Sequence, residues 1–333
     1  MWNVIQCSVQ GRSHIKTGIP CQDKTYALNK DDFCAIALAD GAGSVSLSHY
    51  GAELVTKRIC EMLANDFEMY YEEDDGIAIK RKIINDLTEE LQKMADQYKC
   101  DIKELASTLL AVAVKSNKYI IIHIGDGVIG YLKDDQIKIA SYPENGEFVN
   151  TTVFVTSKAV LQSMKIMKGG LKGIYGFALM SDGTESSFLD KNNKSLAPVL
   201  RRIMNLSQKM ECCCLERELE KSFENVIKQN TTDDCSIALL IEEDYLFRGY
   251  NSLELKEKEE ILGYEHGKLS KKRCRRYDEI LSFLIKPNSL PAIARKIHVK
   301  KKYVKKYINV LLHQNLIIYD KNVYYTSVIM EKE

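Results

Sequence analysis

Apolar segments of β-strand length meet an aspartate at one end in four places along this chain. The segments FCAIALAD, YIIIHIGD and YGFALMSD end on Asp40, Asp126 and Asp182, and a glycine follows each of these aspartates. The apolar segment CSIALLIEED instead begins directly after Asp233 and Asp234. A buried carboxylate is costly unless it is paired. The pattern therefore predicts that the strand ends converge, and that what they surround is positively charged.

The order of strands and helices favours antiparallel sheets. The segments WNVIQCSVQG, KTYALN and FCAIALAD, together with a meander over residues 107–141, have the pattern of strands. Three segments carry apolar residues at helical spacing: residues 46–70, 77–100 and 192–229. Along the chain, the strands are grouped in meanders and pairs and the helices in pairs. This order predicts an α+β fold rather than a doubly wound parallel sheet. Residues 145–175 are expected to form a loop or flap, because Gly169, Gly170 and Gly173 interrupt them.

Charge divides the chain into two parts. From Lys268 to the end there are 16 Lys and Arg against 5 Asp and Glu, a charge of +11, whereas residues 1–267 hold 31 against 41, a charge of −10. The highly charged residues 245–275 lack a sustained apolar stripe and predict a linker. Residues 276–333 show three helical segments and two short strands, the outline of a winged helix. The first domain is expected to cover residues 1–244.

Composition excludes several classes of protein. Hydrophobic residues make up 45% of the chain, which is enough for a full core. None of the ten cysteines forms the paired CxxC spacing of a zinc site. No secretory signal and no apolar stretch of membrane-spanning length are visible. Free thiols in a reducing cytoplasm fit this composition best.

Five aspartates make up the candidate metal site. They are far apart in sequence and stand at strand ends or adjoining turns: Asp23, Asp40, Asp126, Asp182 and Asp233. Hard divalent cations take oxygen ligands, and a pair of cations needs several carboxylates from different parts of the chain. The glycine after three of these aspartates lets the backbone turn sharply. Without a His or Cys ligand set, the residues favour Mg²⁺ or Mn²⁺ over Zn²⁺.

Five short motifs resemble those of the protein phosphatase 2C family, the metal-dependent serine/threonine phosphatases. They are PCQD (20–23), ADGAGS (39–44), IGDG (124–127), MSDGTE (180–185) and TDDCS (232–236), and they occur in the family's order, in a bacterial-type spelling. Any one of them is a weak signal, whereas five in order are strong. The resemblance covers residues 1–243. It implies two packed antiparallel sheets flanked by helix pairs, an αββα sandwich.

The resemblance also implies a role for each aspartate. Asp40 would bridge two metal ions, with the Gly41 carbonyl helping at one of them, and Asp182 with Asp233 would complete the shell of the other. Asp23 would hold metal-bound water, and Asp126 would serve a weaker third-metal position. The implied reaction is hydrolysis of a phosphomonoester by a metal-activated water.

Three positions depart from the family pattern. Gly18 stands where many members have a phosphate-binding arginine, Ala42 where some have a histidine, and Asp234 where an asparagine is usual. Arg12 or His14 is a candidate substitute for phosphate binding, and His14 or metal-bound water for protonating the leaving group. A hydrogen-bonded structural role for His14 is the alternative. Asp234 is expected to add negative charge beside the site.

The basic tail leaves two kinds of partner open. Five lysines lie at the start of the third helix of the expected winged helix: Lys300, Lys301, Lys302, Lys305 and Lys306. They suit nucleic-acid phosphates, but few side chains there could read base edges, and winged helices also dock proteins. The leading hypothesis is therefore a cytoplasmic Mn²⁺/Mg²⁺-dependent phosphatase acting on a phosphoprotein, with a partner kinase system as the candidate source of that phosphoprotein. The alternative is a weakly active or inactive phosphatase-like sensor that acts through its tail as a DNA-associated or protein-docking regulator.

Overall fold

The computed structural model describes residues 2–133, 136–143, 152–207, 212–243, 250, 253–314 and 316–326. The chain divides into two compact units. The first unit consists of Met1–Met204 and Glu211–Glu242, and the second of Asn205–Met210 and Glu243–Glu333. Within the described ranges, no helix combines the length and the apolar character needed to cross a lipid bilayer.

Two five-stranded antiparallel sheets form the centre of the first unit. One has the strand order β1-β12-β9-β6-β7 and the other the order β2-β3-β4-β5-β8. The strands are β1 (Trp2–Val9), β2 (Lys24–Lys30), β3 (Phe33–Ala39), β4 (Leu109–Lys115), β5 (Lys118–Ile124), β6 (Val128–Lys133), β7 (Gln136–Ser141), β8 (Lys165–Gly170), β9 (Ile174–Met180) and β12 (Cys235–Glu242), with a small hairpin of β10 (Leu189–Asp190) and β11 (Ser195–Leu196). The predicted α+β class with antiparallel sheets is confirmed.

Helices cover the sheets. In this unit they are α1 (Arg12–Thr17), α2 (Ser48–Glu72), α3 (Gly76–Tyr98), α4 (Val160–Ser163), α5 (Asp182–Phe188) and α7 (Cys212–Asn225), and α6 (Val199–Leu206) runs across the boundary between the units. Ala35 and Ala37 of β3 join a core with Leu63 of α2 and Leu87 of α3. On the opposite face of β3, Ile36 packs in a second core with residues of the other sheet. Strand β3 is buried on both faces, as its unbroken apolar sequence requires.

The predicted meander over residues 107–141 is split between the two sheets. Strands β4 and β5 belong to one sheet, and β6 and β7 belong to the other. The chain crosses between sheets at Gly125–Gly127, where Gly125 has a φ of +106° that favours glycine. Asp126 therefore stands at the point where the two sheets meet.

The prediction of a loop over residues 145–175 is wrong for the second half of that range. Residues 165–170 form β8, which pairs with β5 at the edge of the sheet. Gly169 lies opposite Tyr119, and a Cβ at Gly169 would come within 2.7 Å of the Tyr119 hydroxyl oxygen. The glycine therefore makes room for an aromatic ring and does not break the strand. Residues 144–151 lie outside the described residues.

The second unit has its own helical core. It contains α8 (Leu255–Ile261), α9 (Lys271–Phe283), α10 (Leu290–Lys296), α11 (Lys301–His313), β13 (Ile317–Asp320) and β14 (Val323–Thr326). Within the expected linker over residues 245–275, for which the sequence leaves a partly helical structure open, lie α8 and the start of α9, and Leu262 and Leu269 are buried in the core. Few apolar side chains anchor this segment, so it shows no sustained stripe in the sequence. The winged-helix assignment stays a prediction.

Candidate active site

The predicted aspartates stand at neighbouring ends of the two sheets. Asp23 directly precedes β2 and Asp40 directly follows β3, and the pairing of Lys24 with Ala39 brings these two ends together. Asp182 follows β9 by two residues, and Asp233 precedes β12 by two. Strand β9 pairs with both β12 and β6, so Asp126, just before β6, joins the same edge.

The five carboxylates lie close enough together to influence one another's charge. Burial raises the pKa of Asp40 well above its ordinary value, and the charges of four other aspartates raise it further: Asp23, Asp182, Asp233 and Asp126. Burial raises the pKa of Asp182 to about 7, with Asp126 and Asp233 adding to the shift. Burial raises the pKa of Asp23 to about 8, with Asp234 and Asp182 adding to it. The structure thus brings together the candidate set that the sequence predicts.

The pocket contains carboxylate oxygens without partners. Both side-chain oxygens of Asp23 and Oδ1 of Asp182 are buried and accept no well-aligned hydrogen bond in the described part of the chain, although the Ser236 and Ser181 hydroxyls lie close enough to lower the pKa of Asp23 in part. Within that part, no group of three or more His, Cys, Asp or Glu side chains is placed so that it could by itself hold a metal ion. An unpaired buried carboxylate is expensive, and an all-oxygen donor set suits a hard divalent cation. The residues present therefore fit Mn²⁺ or Mg²⁺.

The backbone around Asp40 is held on both sides. The Asp40 N–H donates to Thr108 Oγ1 at 2.9 Å, and the Thr108 N–H donates to the Asp40 carbonyl at 2.8 Å. A Cβ at Gly41 would come within 2.8 Å of Ser48 Oγ, at the start of α2. The glycine after Asp40 is thus required by the close approach of a helix.

Asp234 ties three segments together beneath the site. Its side chain is almost fully buried, with Oδ1 accepting the Gly11 N–H and Oδ2 accepting the Gln22 N–H, each at 2.6 Å. His14 Nδ1 lies 2.9 Å from Asp234 Oδ1, at ion-pair distance, although the ring N–H is not aligned for a hydrogen bond. The sequence predicts only an added charge here and misses this role. The paired aspartates before β12 are the one signal that could have indicated it.

The candidate phosphate ligands Arg12 and His14 have partners within the protein. Arg12 Nε donates to the Thr231 carbonyl at 3.0 Å, and Arg12 Nη2 donates to the Gln229 carbonyl at 3.3 Å. His14 is buried beside Asp234. These contacts hold α1 against the segment before β12. A direct role of either residue toward phosphate stays a prediction.

A recess of about 340 Å³ opens beside Asp126 and Asp182, and the sequence does not predict its lysines. Lys191 and Lys194 line it together with Glu185 and Tyr142. Lys191 Nζ forms an ion pair with Glu185 at 3.2 Å, and the Tyr142 hydroxyl donates to the Lys194 carbonyl at 3.1 Å. The two lysines place positive charge at the rim of an acidic site. They carry no motif, which is why sequence patterns do not single them out.

Comparison with known proteins decides the family. A model described as Protein phosphatase 2C matches residues 10–224, more than half of the chain. The chain belongs to the protein phosphatase 2C family. Serine/threonine-protein phosphatase 3 of Escherichia coli (strain K12) is 23% identical over 252 residues, covering 72% of this chain and 98% of that protein. The predicted family is confirmed.

Solved structures show the same fold. The crystal structure of a bacterial serine phosphatase matches with 17% identity and a TM-score of 0.52, covering 74% of this chain and all of that one. Serine/threonine phosphatase Stp1 from Staphylococcus aureus matches with 15% identity and a TM-score of 0.51, covering 73% of this chain and 96% of that one. The expected sandwich of two sheets is thus the fold of this phosphatase 2C member. The alternative of an inactive sensor is not favoured by these relatives.

Proposed function

We propose that this phosphatase 2C member is a Mn²⁺/Mg²⁺-dependent phosphatase that hydrolyses phosphoserine or phosphothreonine in a protein. The observation that carries the proposal is the set of five aspartates from both sheets in one pocket, with buried oxygens that lack partners. Its test is phosphate release from a phosphothreonine peptide with Mn²⁺ and with excess chelator. Turnover that persists in the chelator would count against it.

The metal-holding roles are those that the family resemblance implies. Asp40, the Gly41 carbonyl, Asp182 and Asp233 would hold two ions, Asp23 would position water, and Asp126 would serve a weaker third position. When bound, such ions acidify a shared water and offset the charge of the transferring phosphoryl group. The carboxylates of this chain would orient the attacking water, and Asp234 supports them by fixing the backbone at Gly11 and Gln22.

The cellular setting is part of the same proposal. The ten cysteines, which all lie among the described residues, form no disulfide with one another, and this agrees with a reducing cytoplasm. The phosphoprotein substrate is proposed to belong to a partner kinase system, on the model of the family's role.

Metal-free protein is expected to lose stability as pH rises. The folded-state pKa values of Asp182 and Asp23, about 7 and about 8, lie above the ordinary value of 3.8. Their protonated forms therefore stabilise the fold fully below about pH 4, and this contribution is lost as pH rises through 7 and 8. In chelator, the melting temperature should fall between pH 5 and pH 8.5, and Asp182→Asn should flatten the fall. A profile that is flat for the unmodified chain would contradict the charge crowding described here.

Lys194→Gln is expected to raise KM for a phosphothreonine peptide about threefold to tenfold, with a smaller effect on kcat. The lysine attracts the phosphorylated substrate before and during the reaction to a similar degree, so it contributes mainly uniform binding. Steady-state kinetics measure the split. Lys172→Gln, an exposed lysine in the turn before β9, is the matched control and should leave KM unchanged. Equal KM values for the two variants would show that Lys194 does not contribute to substrate binding.

A further inference from the structure

A second recess lies within the C-terminal unit, between α9 and α11. Its volume is about 660 Å³, and four cationic side chains line it: Arg273, Arg276, Lys300 and Lys306. Tyrosines 264, 277, 303 and 307 and His298 form much of the remaining wall, and none of the described residues that line it is acidic. A cavity of this size is in the range of small-ligand sites. The recess therefore combines a concave shape with a strong positive charge.

Two arginines of the recess are held in place by tyrosines. Arg276 Nη1 donates to the Tyr307 hydroxyl at 3.0 Å, and its guanidinium lies 6.0 Å from the centre of the Tyr307 ring. The Arg273 guanidinium lies 6.0 Å from the centre of the Tyr264 ring. Tyr264 and Tyr277 share a hydrogen bond of 2.7 Å between their hydroxyls. Cation–π contacts and hydrogen bonds of this kind restrict where an arginine can point.

None of the four cations has an acidic partner among the described residues. In the same unit, by contrast, Lys258 Nζ forms an ion pair with Asp278 at 3.2 Å. Arg273, Lys300 and Lys306 are exposed, so solvent screens part of the repulsion among these like charges, and a bound anion would relieve what remains. The uncompensated positive charge of the recess therefore favours the binding of an anionic ligand.

We propose that this recess binds a phosphorylated side chain of a protein partner, as a docking site on the C-terminal unit. Arginine presents paired N–H donors that match phosphate oxygens, and clusters of arginine are a recurring way of reading phosphorylated motifs. The cavity is larger than a bare phosphate ion requires, so it has room for the phosphorylated residue and its neighbours. The choice of a phosphoprotein ligand rests on the proposed phosphatase function.

A nucleic-acid duplex fits the recess less well. A duplex is read by a helix that protrudes into its groove, whereas these cations line a cavity. Of the five lysines that suggested nucleic-acid binding in the sequence, only Lys300 and Lys306 line the recess. Among the described residues of the wall there is also no Asn or Gln, the side chains that pair with adenine. The arrangement therefore favours a single phosphorylated side chain.

The test is binding of a fluorescein-labelled phosphothreonine peptide to the full-length chain carrying Asp40→Asn, so that the peptide is not hydrolysed. Fluorescence anisotropy gives the affinity, with the unphosphorylated peptide for comparison. The double variant Arg273→Gln/Arg276→Gln should weaken binding about tenfold or more. Lys272→Gln/Arg275→Gln removes the same charge from exposed positions on α9 that do not line the recess, and it should change the affinity little.

Each outcome bears on the proposal separately from catalysis. Equal binding by the two double variants, or equal affinity for the two peptides, would overturn it. Displacement of the peptide by AMP but not by a second phosphopeptide would assign the recess to nucleotides instead, and tighter binding of a DNA duplex that depends on both arginines would assign it to nucleic acid. The arginine variant should hydrolyse p-nitrophenyl phosphate at the normal rate. If the unmodified chain fails to hydrolyse that compound, the proposed function fails while the binding result stands.

Discussion

Asp40→Asn is expected to reduce Mn²⁺-dependent phosphate release about a thousandfold or more. The charges of the other four candidate aspartates all raise the pKa of Asp40, so Asp40 lies at the centre of this acidic cluster. The substitution keeps the size of the side chain and removes the negative charge that would bridge two cations. It also relieves repulsion among buried carboxylates, so the variant should fold at least as well as the unmodified chain when metal is absent.

The matched control is Asp31→Asn, at the other end of the same strand. Asp31 is exposed in the turn between β2 and β3, with a φ of +47° that asparagine tolerates. Its phosphate release should equal that of the unmodified chain. Comparable activity in the Asp40 and Asp31 variants would show that the strand-end pocket is not the catalytic centre.

Asp234→Ala is expected to lower the free energy of unfolding by about 3 kcal/mol or more. The substitution leaves the N–H groups of Gly11 and Gln22 without their acceptor, and each buried unsatisfied donor costs about 1–3 kcal/mol. The change in the free energy of unfolding is measured by urea unfolding, followed by a spectroscopic signal that reports on the first unit. Asp234→Asn keeps one carbonyl acceptor but turns an amide toward the second donor, so its cost should be intermediate.

Asp190→Ala separates burial from hydrogen bonding in this experiment. The Asp190 side chain also accepts two backbone N–H groups, from Asn192 and Asn193, each at 3.0 Å, but it is exposed. Water replaces the lost acceptor at an exposed site, so the cost should be much smaller than at Asp234. If Asp234→Ala unfolds at the same urea concentration as Asp190→Ala, the buried carboxylate does not hold the loops as described.

The sequence predicts the sheets and the acidic pocket because both leave local patterns. Strand β3 is an unbroken apolar segment, and Asp40 with Gly41 marks its end. The ordered motifs then identify which strand ends meet, and the structure brings those aspartates together. No local sequence pattern predicts that the meander is divided between two sheets. A glycine such as Gly125 permits either a hairpin within one sheet or a passage of the chain from one sheet to the other.

Features built from tertiary contacts leave no such pattern. Asp234 contacts Gly11 and Gln22, which are more than 200 positions away in the chain, so its role depends on the finished fold. Lys194 reaches the site only because the β10–β11 hairpin carries it there. Similarly, Arg273 and Lys306 share a recess only once α9 and α11 are packed together. Composition reveals the basic character of the tail but does not show which of its charges converge.

The central claim is that distant carboxylates meet to hold paired divalent cations, and equilibrium dialysis against Mn²⁺ tests it most directly. The full-length chain should bind about two ions per molecule tightly, as expected for a two-metal site, and Asp40→Asn should lose most of this binding while Asp31→Asn retains it. Failure of the unmodified chain to bind Mn²⁺ or Mg²⁺ at millimolar concentration, or unchanged binding by the Asp40 variant, would contradict the account.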